Sequence, residues 1–237
     1  VTVATIERAE FIERYFRYDA GQHVTFLGRT GNGKTTLAYE LLEKVATPEL
    51  PAVSLVMKPR DDTVTEWSKR LGHKIVRQWP PIQQSKFFPA KPSGYALWPK
   101  HSFEFERDNA RIAAEFRRAL QDCYRRGRRI IFADEVLGLT QELGLKVPTV
   151  GIWTRGRSMK TGLWAATQRP FDVPLHAYNQ ATHMFLSQET DERNIKRFSE
   201  ITAGIDPKII KSEVANLGDF EWLYVCAKPR AICVVSA

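Results

Sequence analysis

No stretch of this 237-residue chain holds the roughly twenty consecutive apolar residues that span a bilayer, so a channel or a membrane-embedded transporter is not expected. Cysteine is scarce. Cys123, Cys226 and Cys233 are scattered and form neither a C-x-x-C metal pair nor a disulfide framework, and each sits among apolar residues, as a small buried hydrophobe does. Val1 to Arg17 mixes charged and apolar residues and lacks a signal-peptide pattern, so the expected compartment is cytoplasmic: a bacterial-type cytosol or that of a virus-infected cell. Internal repeats, low-complexity tracts and a clear linker are missing too. A single domain over 1–237 is the simplest expectation, with 1–20 as an N-terminal helical arm.

What is present is ordinary for a folded chain, with 43% hydrophobic and 26% charged residues, enough to bury a sizeable core. Lys and Arg number 35 against 27 Asp and Glu, a formal net charge of +8, which suits a polyanionic partner and equally a solvated basic surface.

The chain is organised around Gly28-Arg29-Thr30-Gly31-Asn32-Gly33-Lys34-Thr35, followed by Thr36, a match to G-x-x-x-x-G-K-[ST]. Its glycines let backbone N–H groups turn inward onto phosphate oxygens. Lys34 can reach the β- and γ-phosphates of a nucleotide, and the Thr35 hydroxyl can ligate Mg²⁺. His23–Leu27 is a short apolar run entering the loop, and Leu37, Leu41, Leu42 and Val45 recur at helical spacing behind it. Strand, loop and helix in that order put the loop at a helix N-terminus, where the dipole and unpaired N–H groups favour an anion.

Further along, Ala52–Met57 reads as a buried parallel strand. A capping box at Thr63–Glu66 opens a helix ended by Gly72, and Lys74–Arg77 is a short strand. Gln78 to His101 is rich in proline and aromatics, which excludes a regular helix, with an edge strand expected at Tyr95–Trp98. Asp108 is expected to cap a long helix to about Arg126. The arginines 125, 126, 128 and 129 at its end suit the negative pole of the dipole. Strands follow at Ile130–Ala133, Leu163–Thr167 and His183–Ser187. Helices are expected from Pro148 to Arg157, around Ile195–Ile201 and from Asp206-Pro207, and the chain ends in a hairpin around Lys228–Arg230. Alternation of strand and helix gives an α/β fold with a mostly parallel sheet and a C-terminal β-hairpin.

Two further pieces complete the site. Asp134-Glu135 follows Ile130–Ala133, so a buried strand carries two acids to its end. Asp134 is placed to hold Mg²⁺, and Glu135 to orient and deprotonate a water attacking the γ-phosphate. Gln168, in Thr167-Gln168-Arg169-Pro170, ends another strand at the sheet edge where ligands of open α/β sheets bind, and can hydrogen-bond the γ-phosphate or the attacking water.

The run Thr154-Arg155-Gly156-Arg157-Ser158-Met159, then Gly162–Thr167 and Gln168-Arg169-Pro170, resembles the R-x-G-R-S … A-T-Q-R-P run of the FtsK/HerA superfamily. The resemblance spans about Gln22 to Val235 and implies a P-loop NTPase with a RecA-like core of the additional-strand catalytic-glutamate class. It implies ATP and Mg²⁺ as ligands, double-stranded DNA as partner, and a homo-oligomeric ring, a pentamer or hexamer, with ATP between subunits. By the same resemblance Lys34 and Thr35 match the Walker A pair, Asp134 and Glu135 the Walker B acid and catalytic glutamate, and Gln168 the polar sensor. Arg155 or Arg157, the latter favoured, would act as an arginine finger on the neighbouring subunit's nucleotide. The short chain is most like the small viral genome-packaging ATPases, whose docking partner would be a portal or capsid vertex. Lys58, Arg60, Lys86, Lys91 and Lys146 are candidates to grip DNA phosphates, and each equally suits a solvated surface. A conjugation, mobilisation or morphogenesis ATPase shares these motifs, and a small-molecule P-loop kinase shares the loop alone.

Overall fold

Short, mostly apolar runs build the centre of the sheet. The computed structural model describes residues 3–81, 91–173, 179–202 and 204–237. Among these, ten strands form one sheet in the order β1-β10-β9-β8-β2-β7-β6-β3-β5-β4. The strands are β1 (Thr5–Glu7), β2 (His23–Leu27), β3 (Ala52–Leu55), β4 (Lys74–Val76), β5 (Gly94–Leu97), β6 (Arg129–Ala133), β7 (Thr161–Thr167), β8 (Ala181–Leu186), β9 (Trp222–Ala227) and β10 (Arg230–Ser236). From β8 to β4 all neighbours run parallel; β9 is antiparallel to both β8 and β10, the expected terminal hairpin.

Because side chains alternate along a strand, each buried strand feeds two cores. On one face, Val24, Phe26, Phe132, Trp164 and Phe185 pack under α2 (Lys34–Val45), α3 (Asp62–Leu71) and Phe11 and Phe16 of the N-terminal segment. On the other, Leu27, Ile131, Leu163 and Leu186 pack under α4 (Phe105–Arg126), α5 (Lys146–Arg155), α6 (Glu192–Ile201) and α7 (Pro207–Asn216). Each large apolar side chain so buried contributes about 1.5–3 kcal/mol. The three cysteines are buried and free, as expected.

Several elements differ from expectation. The N-terminal arm is not simply helical: β1 adds a strand parallel to β10, and the helical turns α1 (Arg8–Glu10) and Phe11–Tyr15 follow it. Helix α3 is capped by Asp61, whose carboxylate accepts from the Val64 N–H at 3.0 Å, so Thr63 lies inside the helix. Asp108 also lies inside its helix, which starts at Phe105, and reaches back to accept from the Ser102 and Phe103 N–H groups. Strand β5 is internal, between β3 and β4, because β4 takes the edge. Among the described residues no helix is long and apolar enough to cross a membrane.

Candidate functional site

Strand β2, buried along its length, delivers Gly28 to the C-terminal edge of the sheet between β7 and β8. The Gly28 N–H donates to Thr167 O at 3.2 Å and the Ser187 N–H to Leu27 O at 2.9 Å, so pairing persists to the loop's first residue. A Cβ on Gly28 would fall 1.9 Å from Ser187 Oγ, leaving room for glycine alone. Gly31 and Gly33 take φ of +86° and +80°, the left-handed region that glycine enters without a steric cost. Helix α2 starts at Lys34 with no side-chain cap on its first N–H groups, which stay free to bind an anion.

The loop's side chains hold one another. Lys34 Nζ donates to the carbonyls of Gly28 at 2.8 Å and Arg29 at 2.7 Å. Burial holds its pKa below the usual lysine range, against the pull of Asp134 and Glu135. The Thr30 hydroxyl donates to Gln168 Oε1 at 2.6 Å, and Asn32 Nδ2 to Ser187 Oγ at 3.0 Å.

The acids arrive from β6, two strands away. The Thr35 hydroxyl donates to Asp134 Oδ1 at 2.6 Å, which brings together two oxygens of the kind that hold Mg²⁺ beside a phosphate chain. Asp134 Oδ2 faces Lys58 Nζ at 3.3 Å, and Lys58 also pairs with Asp61 at 3.2 Å. Burial acts to lower the Lys58 pKa, but the two carboxylates outweigh it and hold it raised. Glu135 is partly buried, and burial raises its pKa over the opposing hydrogen bonds from the Leu137 N–H and the Thr167 hydroxyl. A carboxylate moved toward neutrality by burial is a better general base near pH 7. A cavity of about 640 Å³ opens beside Lys58, Asp134, Glu135 and Gln168.

Together these contacts unite Gly28–Thr35, Asp134, Glu135 and Gln168 in one edge cluster. Arg155 and Arg157 lie elsewhere. They precede β7 and sit at the opposite, N-terminal edge of the sheet, where Arg157 Nη2 donates to Thr182 Oγ1 at 3.1 Å. The seven residues of β7 separate them from the loop by about 20 Å.

The DNA-contact candidates do not share one surface. Lys58 is tied into the site and Arg60 is exposed beside it, whereas Lys91 precedes β5 at the other edge. Lys146 is exposed at the start of α5, and Lys86 lies outside the described residues. Sequence reasoning missed Ser187 and Asp61, whose links to the site are purely spatial.

No protein-family profile matches the chain, and no curated protein is similar to it in sequence. Solved structures are similar in fold. The genome packaging NTPase B204 of Sulfolobus turreted icosahedral virus 2, in complex with AMPPCP, superposes with a TM-score of 0.61 at 13% identity, over 92% of this chain and 99% of that one. The chain has the fold of that NTPase. B204 of Sulfolobus turreted icosahedral virus, described as a DNA-packaging ATPase, gives 0.61 at 14% identity over 92% and 98%. VirB4 of Thermoanaerobacter pseudethanolicus gives 0.64 at 11% identity over 91% and 89%. The shared fold includes the mostly parallel sheet and its terminal hairpin, and in this chain the loop stands at the sheet edge where the acids meet it.

Proposed function

We propose that the protein is an FtsK/HerA-type ATPase that drives double-stranded DNA through a homo-oligomeric ring to package a viral genome. The observation that carries the hydrolase part is the Thr35 hydroxyl on Asp134, with Glu135 next to it and Gln168 bonded to the phosphate loop. A kinase has no need of a base for water. The DNA part is supported by the A-T-Q-R-P run, the net charge of +8 and the fold shared with the two viral packaging proteins.

In this reading Thr35 and Asp134 hold Mg²⁺, which when bound neutralises charge on the β- and γ-phosphates. Lys34 exchanges its two carbonyl partners for phosphate oxygens, and the free N–H groups at the start of α2 bind the rest of the chain. Glu135 takes a proton from water as its oxygen attacks the γ-phosphorus, the bond to the β–γ bridging oxygen breaks, and ADP leaves. Gln168 orients that water or the γ-phosphate. Arg157, being about 20 Å from its own loop, serves the next subunit in a head-to-tail ring.

The test is ATP turnover with and without duplex DNA. Stimulation by DNA, abolished in Glu135→Gln, supports the proposal; a rate indifferent to DNA and to that substitution contradicts it. The fold shared with the conjugation coupling protein TcpA favours one second reading, a conjugation, mobilisation or morphogenesis ATPase of the same superfamily, in which Glu135 would be equally essential and which neighbouring relaxase and pilus genes, in place of capsid and portal genes, would support.

A further inference from the structure

Phe220 is bulky and half exposed, yet it takes φ of +61°, a backbone conformation that such residues adopt only when their surroundings impose it. It lies in the turn entering β9. That turn is closed by Gly218 N–H donating to Glu221 Oε2 at 2.7 Å. The Arg8 guanidinium donates to the Phe220 carbonyl and faces Glu40 of α2 at 3.7 Å, so the turn is clamped to the helix that follows the phosphate loop. The ring itself rests on the loop. A Cβ on Gly33 would lie 3.1 Å from Phe220 Cδ1. No aromatic ring or cation among the described residues stacks on it.

A strained turn, braced from two elements, therefore presents an open aromatic face beside the phosphate cradle. We infer that Phe220 is the platform on which the base of the bound nucleotide stacks, an inference that rests on Gly28–Thr35 binding a nucleoside triphosphate. The phosphates are fixed by backbone N–H groups and Lys34, so the ribose and base must leave the cradle along its rim, and an apolar ring there removes one face of the base from water. Stacking tolerates every base, so the platform supplies affinity and little choice between ATP and GTP.

The experiment measures binding of ATP, GTP and inorganic tripolyphosphate, which has no base, to the wild type, Phe220→Gly, Phe220→Trp and Lys34→Ala. Glycine adopts φ of +61° without strain, so the Phe220→Gly protein keeps its melting temperature and a binding loss cannot be blamed on unfolding. It is expected to bind ATP and GTP about ten-fold more weakly and tripolyphosphate unchanged, whereas Phe220→Trp retains nucleotide affinity. Lys34→Ala weakens all three. Unchanged ATP affinity in Phe220→Gly overturns the inference, as does an equal loss for tripolyphosphate, which would mean that the ring shapes the loop. If the wild type binds tripolyphosphate and ATP equally, the loop reading stands and the platform falls; if it binds neither, the loop reading itself fails.

Discussion

The two edges of the sheet are built on opposite plans. At the C-terminal edge the polar side chains of the candidate site are linked in a network: Thr35 to Asp134, Asp134 to Lys58, Lys58 to Asp61, Thr30 to Gln168 and Asn32 to Ser187, with Lys34 on two loop carbonyls. At the N-terminal edge Arg128, Arg155, Arg157 and Lys160 face no carboxylate within ion-pair distance among the described residues. Arg125 and Arg126, close by, both pair with Asp122 and so are accounted for inside the chain. Beneath this edge His23 and His183 are buried and neutral, the latter between the Tyr224 hydroxyl and Gln22. One edge is thus tied together and poised for an anion, while the other carries positive charge that no carboxylate among the described residues neutralises. In the proposed ring, a head-to-tail contact between copies would bring the second edge to the first.

The largest expected effect breaks the comparison at the N-terminal edge. Arg157→Ala is expected to keep nucleotide binding and lose about 10³–10⁵-fold in turnover by the assembled ring, measured by phosphate release. Glu135→Gln attacks the other edge and is expected to cost about 10²–10⁴-fold while ATP still binds. Because burial raises the Glu135 pKa above its ordinary 4.5, the acid limb of the pH–rate profile should lie above that value and vanish in the Gln variant. The buried histidines sharpen the contrast through stability. Burial, joined for His23 by the nearby Arg157 charge, lowers their pKa from 6.5 to about 4, so the folded state favours the neutral form. Stability from this source is complete above pH 6.5 and is lost as pH falls through 6.5 toward 4, which thermal melts across that range would show. The smallest effect is Asp61→Ala, expected to destabilise by about 1 kcal/mol through loss of the α3 cap and to free Lys58 toward Asp134 alone.

How much of this the sequence carried depends on how local each signal is. The phosphate loop, its flanking strand and helix, and the acids after β6 are contiguous patterns, and they stand where expected. Gln168 at the end of β7 was legible for the same reason. Caps were harder, since Asp61 and Thr63 both fit a helix start and only the backbone of Asp61, extended at φ −154°, decides between them. β1 is three residues long, too short for any periodicity, and exists because β10 offers an edge. Whether β5 sits inside or at the edge depends on β4, a pairing that no local pattern encodes. Ser187 and Phe220 reach the loop, and Arg8 the helix behind it, from far along the chain, so their part is visible only once the sheet has closed.

The most direct test of the central claim, that the two edges form one site across a subunit boundary, is ATP turnover by a mixture of Lys34→Ala and Arg157→Ala subunits. Each variant alone should be nearly silent. Mixed in equal amounts and reassembled, about a quarter of the interfaces would join an intact loop to an intact arginine, and turnover should reappear in proportion. A mixture that assembles yet stays silent, or an Arg157→Ala protein that hydrolyses ATP at the wild-type rate, would contradict it.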